Sequence, residues 1–323
     1  MNNGQMSLIE ELRHAFEHGN MVIKLILINV GVYCAISLAY LLFFLLQLLD
    51  GYDVLLNKLM VPADLQNLLW QPWSLITYMF LHEKLLHLLF NMITLNLFGN
   101  ILSDFLGNTR ILAIYVLGGL VGALFYILIF HTFPAFRAEI DVSYMLGASA
   151  GVMSIMLAAA TLRPDYSISL VFIGPVKIKW IALFLVLIDL FAVAKSNPGG
   201  HIAHLGGAAM GYFLIKQLNE GKDWASYFNN FMTRLISLFY RQTSSKPRII
   251  YKRQDAAPKN MTPHQSSVGA SVGASNKGSS RGKLRQDQQD RIDAILDKIS
   301  KSGYDSLSKE EKDYLFRVSN DNE

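Results

Sequence analysis

A serine flanked by small residues is the first candidate nucleophile in the chain. It lies in the run Gly147-Ala148-Ser149-Ala150-Gly151. The run has the form GxSxG, which in α/β-hydrolases places a nucleophilic serine on a turn between a strand and a helix. No strand pattern precedes Ser149, so we interpret it as a serine at a helix start, where free backbone N–H groups can face an oxyanion. Small residues also pack membrane helices, so this run alone leaves catalysis and packing both open.

A histidine at the start of a later apolar segment is the candidate general base. The segment reads His201-Ile-Ala-His204-Leu-Gly-Gly207-Ala-Ala-Met-Gly211. Ionisable side chains in such segments are costly in lipid and usually face a cavity or a polar partner, which favours a functional role for His204. Gly207 and Gly211 have the small-xxx-small spacing of close helix packing, to which Gly147 is expected to contribute. We expect His201, nearer the surface, to pack or to contact water.

Two further polar residues begin another apolar segment. His87 and Asn91 are four residues apart, so their side chains share one face of a helix. Side-chain donors beside a nucleophile can stabilise the oxyanion of a tetrahedral intermediate, which is often the largest single catalytic term. Asn91 alone would also fit a hydrogen bond between helices.

A zinc site is an alternative interpretation, because His82-Glu83 followed by His87 resembles HExxH. Five residues turn a helix through about 500°, which leaves the two histidines about 140° apart, whereas the zinc motif has them four residues apart. Asp189 is the only acid of its apolar segment, and we expect it in the inner or middle part, away from these histidines. The sequence therefore predicts no metal and no cofactor.

The composition places these residues in a membrane protein. The 323 residues are 52% hydrophobic and 17% charged, against about 25% charged in typical soluble domains. The apolar residues are concentrated between residues 21 and 218, and most charged residues lie outside the apolar runs. This distribution excludes a soluble globular class and predicts the lipid bilayer as a partner.

Six apolar segments have the length of membrane-spanning helices, about 17 to 25 residues. They lie at 21–46, 83–103, 110–131, 147–163, 179–196 and 201–218. Counting Lys and Arg in the connections and in the basic tail predicts that both termini are cytoplasmic, N-in and C-in. The second, fourth and sixth segments then run from outside to inside, so the serine, His87, Asn91 and His204 share one depth, about one turn below the outer surface.

The segments outside this bundle have their own patterns. Residues 1–20 predict an amphipathic cytoplasmic helix that opens with a capping box, Ser7 with Glu10. The first connection, residues 50–73, is apolar for a loop, so we expect it to be partly embedded in the membrane interface with Trp70 and Trp73 at headgroup depth.

The C-terminal part divides into three predicted regions. Residues 219–241 indicate an interfacial helix, and residues 242–285 a disordered linker. That linker holds nine Lys or Arg and one acid, which is typical of a basic tail beside a membrane and not of a nucleic-acid partner. Residues 286–323 predict a small helical hairpin whose core is marginal alone, so we expect it to bind a cytoplasmic partner.

Taken together, these residues resemble the rhomboid family of intramembrane serine proteases over about residues 70 to 215. In chain order, the resembling residues are Trp73, Thr77, Phe80-Leu81-His82, His87, Asn91, Phe98-Gly99, Asp104, Gly107, Tyr115, Gly118-Gly119, Gly122, Gly147-Ala148-Ser149, Ala203-His204, Gly207 and Gly211. The resemblance implies a Ser–His dyad without a third acid. It also implies an oxyanion site made by His87, Asn91 and the Ser149 amide, with transmembrane segments of other proteins as substrates.

Three positions depart from the family pattern. The residue directly after the nucleophile, usually glycine, is Ala150; the aromatic residue four positions after it, which stacks on the base, is replaced by Met153. The arginine that often follows the loop tryptophan is Ser74. None of the three replaces a catalytic group, and we expect Met153 to provide an apolar wall for the imidazole.

The sequence thus predicts an all-α membrane protein with a six-transmembrane-helix rhomboid-like bundle, in a cell (inner) membrane. The expected function is an intramembrane serine endopeptidase that cuts transmembrane segments near the outer face, with Ser149 as nucleophile and His204 as base. A catalytically silent rhomboid-like protein that binds transmembrane segments is the main alternative. A transporter would be favoured by inverted repeats or paired charges in mid-span, and the sequence contains neither.

Overall fold

The computed structural model describes residues 7–170, 173–239, 293–295, 297–299, 301, 306–312 and 314. The chain forms two compact units, Met1–Lys246 and Pro247–Glu323. The helices of the first unit are α1 (Leu8–His18), α2 (Met21–Leu45), α3 (Leu49–Leu59), α4 (Leu65–Trp70), α5 (Ser74–Thr77), α6 (Leu85–Leu106), α7 (Asn108–Thr132), α8 (Ser149–Leu162), α9 (Ile178–Ala192), α10 (Pro198–Asn219) and α11 (Trp224–Phe239). Short 3₁₀ turns lie at Tyr78–Phe80 and Pro134–Glu139.

Each of the six predicted apolar segments overlaps one of these helices, namely α2, α6, α7, α8, α9 and α10. Within the described residues, three helices are long and apolar enough to cross a membrane. These are α2, α6 and α7, with mean hydropathies of 2.2, 1.6 and 2.4, and α8 is a shorter apolar helix. The largest boundary error is at α9, which ends at Ala192 where residue 196 was predicted.

The connection after α2, predicted as an apolar loop at the membrane interface, contains short helices. Helices α3, α4 and α5 lie in it, and none of them was predicted. Its turns are closed by hydrogen bonds from Trp73 Nε1 to the Lys58 carbonyl (2.8 Å) and from Thr77 Oγ1 to the Leu59 carbonyl (2.7 Å). The Trp70 side chain remains exposed.

The described residues are mostly helical, as the predicted all-α class requires, and beside the helices they form two small antiparallel sheets. Strand β1 (Val61–Pro62) pairs with β2 (Tyr144–Met145), and β3 (Ser167–Leu170) pairs with β4 (Gly174–Lys177). In the first sheet Val61 lies opposite Met145. The first connection is thereby fixed to the segment that leads into α8, a pairing of distant two-residue strands that has no periodic signal in the sequence.

Helix α10 packs most extensively against α8 and α7. Glycines make this possible: a Cβ atom at Gly207 would overlap the Ala150 carbonyl oxygen, and one at Gly211 would overlap the Ser154 carbonyl oxygen. The predicted small-xxx-small interface is therefore present for these two residues, with α8 as the partner. Ser154 in turn donates from Oγ to the Ile114 carbonyl on α7 at 3.0 Å.

The amphipathic helices that flank the bundle are present as α1 and α11. The predicted capping box is confirmed, since Ser7 N donates to Glu10 Oε2 (2.8 Å) and Glu10 N donates to Ser7 Oγ (3.3 Å). At the start of α11, Asp223 pairs with Arg110 of α7 at 2.7 Å. This ion pair fixes the start of α11 to the start of α7.

The second unit is described only in part. Residues 293–295, 297–299 and 309–312 are helical. A capping pair is present here as well, because Ser308 N donates to Glu311 Oε2 (2.7 Å), and Lys298 pairs with Glu311 at 2.9 Å. The predicted linker at 242–285 lies outside the described residues.

Candidate active site

Ser149 is the first residue of α8, and the chain enters this helix through Gly147, a glycine with positive φ. Gly147 has φ of +132°, a backbone conformation that residues with a Cβ rarely adopt, and its N–H donates to the Tyr78 carbonyl at 2.9 Å. A Cβ at Gly147 would lie 3.3 Å from Ser149 Oγ and 3.1 Å from His87 Cε1. Gly147 therefore lies before the helix and leaves space beside the serine, which differs from the helix-packing role predicted for it.

His204 meets this serine from α10. Its Nε2 lies 2.6 Å from Ser149 Oγ, although 55 residues separate the two in the chain. The close contact of Gly207 with Ala150 brings the two helices near enough for this bond. Gly207 lies within one helical turn of His204, and Ala150 directly follows Ser149. A serine hydroxyl in hydrogen-bond contact with an imidazole nitrogen is the arrangement of an activated nucleophile.

Asp189 of α9 lies between two histidines of α10, a contact that the sequence did not predict. Asp189 Oδ1 lies 2.8 Å from His204 Nδ1 and 2.7 Å from His201 Nδ1. Asp189 was expected in the inner or middle part of its segment; in the structure it is three residues from the end of α9 at Ala192 and faces the first turns of α10. His201, expected to pack or to contact water, is hydrogen-bonded to this carboxylate.

A signal for this contact was available in the sequence. A lone carboxylate in an apolar segment is expensive unless it is paired, so Asp189 had to have a polar partner. The predicted topology runs the fifth segment from inside to outside, which puts its C-terminal part at the depth of His204. Because α9 ends at Ala192, shortly before the Asn197 cap of α10, Asp189 lies in the last turn of α9.

The same three side chains offer metal-ligand atoms within 4.8 Å of one another. Two histidines and one carboxylate are ligand types that bind zinc. In a tetrahedral zinc site with bonds of about 2.0 Å, however, ligand atoms lie about 3.3 Å apart. The N···O separations of 2.7 and 2.8 Å are shorter and are those of hydrogen bonds. The geometry therefore fits a hydrogen-bonded cluster better than a zinc site.

His87 and Asn91 lie one turn apart on α6, and His87 is the one observed beside the segment that leads into Ser149. The His87 ring is next to Gly147, as the short distance from its Cε1 shows, and His82 packs against it edge-on with ring centroids 5.0 Å apart. Asn91 Nδ2 donates to the His87 carbonyl at 2.9 Å, which uses one of the two amide hydrogens. His87 thus lies next to the segment that leads into Ser149, and Asn91, one turn further along α6, keeps one further donor.

A cavity of about 660 Å³ adjoins these residues. His87 and His204 line it on one side, and Glu83, Lys84 and Asn197 supply further polar groups. A peptide segment and water could therefore reach the serine and the histidine through this space.

The comparisons with known proteins agree with this geometry. Residues 69–219 match the family model of the rhomboid domain. The chain therefore contains a rhomboid domain. The predicted resemblance is confirmed, and it covers the helices that carry His87, Ser149 and His204. Residues 283–321 of this rhomboid protein match a second model, a family of unknown function named DUF6576.

Curated relatives carry rhomboid names. RHOMBOID-like protein 12, mitochondrial, of Arabidopsis thaliana is 28% identical over 213 residues, which is 63% of this chain and 60% of the relative. Rhomboid protease GluP of Bacillus subtilis is 28% identical over 208 residues, 64% of this chain and 37% of the relative. Presenilin-associated rhomboid-like protein A, mitochondrial, of Danio rerio is 27% identical over 139 residues, 42% of this chain and 35% of the relative. The chain thus matches 60% or less of the length of each.

Two of the departures from the rhomboid pattern have a visible structural setting. Ala150 packs against Gly122 of α7, where a second Cβ would come within 2.6 Å of the alanine Cβ. Met153 is buried within the core. With Met153 in place of an aromatic residue, the His204 ring is held in the described structure by its polar contacts to Asp189 and Ser149.

Proposed function

We propose that this rhomboid protein is an intramembrane serine endopeptidase. The observation that carries the proposal is the 2.6 Å contact between Ser149 Oγ and His204 Nε2 at the start of two closely packed helices. A packing serine has no need of an imidazole partner in an apolar bundle, where each buried ionisable group costs free energy. A nucleophile needs that partner, because the hydroxyl is weak until a base accepts its proton.

In the proposed reaction, Ser149 Oγ attacks the scissile carbonyl carbon while its proton passes to His204 Nε2. The electron pair of the carbonyl moves to its oxygen, and the resulting oxyanion accepts hydrogen bonds from His87, Asn91 and the Ser149 amide. Collapse of this intermediate breaks the C–N bond, and His204 returns the proton to the leaving amine. Water then hydrolyses the acyl-enzyme by the same steps.

The proposed substrates are transmembrane segments of other proteins, cut near the outer face of a cell (inner) membrane. We place six crossings in the chain, with both termini cytoplasmic, so that α6, α8 and α10 start at the outer side. Support comes from the shared position of the four site residues, each in the first two turns of its helix. The 660 Å³ cavity at these helix starts would admit both an unwound segment and water.

Cleavage assays on variants test the proposal. The chain is co-expressed with a panel of single-span membrane proteins, and cleavage is expected to vanish in both Ser149→Ala and His204→Ala. Labelling by a fluorophosphonate should depend on the same two residues, because the probe reacts with an activated serine hydroxyl. If folded wild-type protein gives neither cleavage nor labelling, the protease proposal is wrong. The chain is then a rhomboid-like protein that binds transmembrane segments.

The C-terminal unit is proposed to be dispensable for chemistry and to bind a cytoplasmic partner. All proposed site residues lie within 69–219, the part that matches the rhomboid model. A chain truncated after Lys246, the boundary between the two units, is expected to keep fluorophosphonate labelling. Loss of labelling in a folded truncated protein would contradict this separation.

A further inference from the structure

Asp189 is a buried carboxylate that accepts two hydrogen bonds from imidazoles. Its side chain is 9% exposed, and the same oxygen, Oδ1, is close to Nδ1 of both His201 and His204. The rest of α9 is apolar except at its first turn, where Lys179 lies. A buried charge in such a helix is costly unless its partners repay the desolvation. The position therefore requires an explanation in terms of what the two histidines do.

The hydrogen bonds decide where the imidazole protons lie. An ionised carboxylate can only accept, so each Nδ1 that bonds it must carry the hydrogen. For His204 this leaves the lone pair on Nε2, the atom that faces Ser149 Oγ. The carboxylate thus selects the one neutral tautomer in which the imidazole can act as a base toward the serine.

We propose that Asp189 is the positioning residue for His204, and that His201 holds Asp189 in place for this task. The inference rests on the proposed protease function and deepens it: the site is a Ser149–His204–Asp189 relay with a second histidine behind the acid, in place of the dyad that the family resemblance implies. His201 and Asp189 touch no reacting atom. They act through the orientation, tautomer and charge of His204.

The charge matters in the step that forms the intermediate. As Ser149 Oγ bonds to the carbonyl carbon, its proton moves to His204 Nε2, and the imidazole becomes a cation. Asp189 stays ionised and keeps accepting from Nδ1–H, so it stabilises that cation without taking the proton itself. When the C–N bond breaks, the proton leaves Nε2 for the amine, and His204 returns to the starting tautomer.

A purely structural reading must be separated from this one, because the two bonds also join α9 to α10. The variant Asp189→Asn separates them. Its Oδ1 can still accept from both Nδ1–H groups and its volume is nearly unchanged, but it carries no charge. We expect kcat to fall by up to about 10⁴-fold, with KM and the melting temperature nearly unchanged. The rate of fluorophosphonate labelling should fall in parallel.

His201 offers a second, independent test by partial rescue. His201→Ala removes one donor to Asp189, so we expect kcat to fall about tenfold. In His201→Asn, the side-chain Nδ2 takes roughly the place of the imidazole Nδ1 and can donate to the same oxygen. Recovery of most of the lost kcat in His201→Asn is expected. Equal loss in both variants would overturn the role given to His201.

A matched acid provides the control. Asp165 also accepts two hydrogen bonds, from Lys177 and Lys179, but it is exposed and lies outside the helices. Asp165→Asn is expected to leave kcat unchanged. If Asp189→Asn behaves like Asp165→Asn while Ser149→Ala and His204→Ala remain inactive, the inference about Asp189 is wrong and the proposed protease stands. If the wild-type protein neither cleaves nor labels, both proposals fall.

Discussion

Gly207 of α10 lies against the carbonyl oxygen of Ala150, the residue that follows the proposed nucleophile in α8. The contact leaves no room for a methyl group, so the spacing of the two helices depends on the glycine. The same spacing holds His204 Nε2 at 2.6 Å from Ser149 Oγ. A packing residue and a catalytic distance are therefore linked.

The first prediction concerns this contact. Gly207→Ala should force α10 away from α8, lengthen the Ser149–His204 distance and abolish cleavage, with a loss of about 1 to 3 kcal/mol in the free energy of unfolding. The measurements are cleavage and melting temperature of the purified protein. Gly31→Ala is the control, because no atom lies within 4 Å of a Cβ built there; unchanged cleavage in Gly207→Ala would refute the link.

The second prediction contrasts two serines of α8. Ser154 Oγ donates to the buried Ile114 carbonyl, so Ser154→Ala should destabilise the protein by about 1 kcal/mol and leave kcat unaltered. Ser149→Ala should do the reverse, with full loss of cleavage at little cost in stability. Thermal unfolding and cleavage are measured on both variants. A large kcat loss in Ser154→Ala would mean that α8 tolerates no loosening near the site.

The third prediction concerns the oxyanion donors on α6. His87→Ala and Asn91→Ala should each lower kcat by about 10- to 10³-fold with a small change in KM, since these donors act mainly on the charge that develops in the transition state. Asn96→Ala is the control, because Asn96 lies further along the helix and accepts from Asn100 at 2.9 Å. Steady-state kinetics on one cleavable substrate distinguish the three. Equal kcat in all three would exclude the proposed donors.

The fourth prediction concerns acid stability at the α7–α11 contact. Burial raises the pKa of Asp223, but hydrogen bonds from Arg110 and Ser226 outweigh it, so the pKa lies below the ordinary value of 3.8. A lowered pKa in the folded state means that this stabilisation is complete above pH 3.8 and is lost as the pH falls further.

Asp223→Asn should therefore lower the melting temperature at neutral pH, by an amount that corresponds to about 1 kcal/mol or less. The difference from the wild-type protein should shrink below about pH 4. Melting curves between neutral and acidic pH give this comparison. A difference that stays constant over that range would mean that the carboxylate charge contributes nothing to the contact.

Much of this protein could be predicted because the signals are local. Runs of apolar residues predicted the positions of six helices, α2 and α6 to α10, and Ser7 with Glu10 predicted the start of α1. Short elements escaped prediction: the pairing of Val61 with Met145 joins two-residue strands that are far apart in the chain. Such strands form only because neighbouring helices hold them together, so no sequence pattern within either segment predicts them.

The sequence by itself predicted the type of site, through Ser149, His204, His87 and Asn91 and a shared depth, because depth can be counted along a helix at 1.5 Å per residue. Only the tertiary structure decided which side of each helix faces its neighbours. That rotation depends on contacts such as Gly207 with Ala150 and on where α9 ends before α10 begins. It is also what brings the Asp189 carboxylate to the far side of the His204 ring, a contact that a count of depth alone cannot supply.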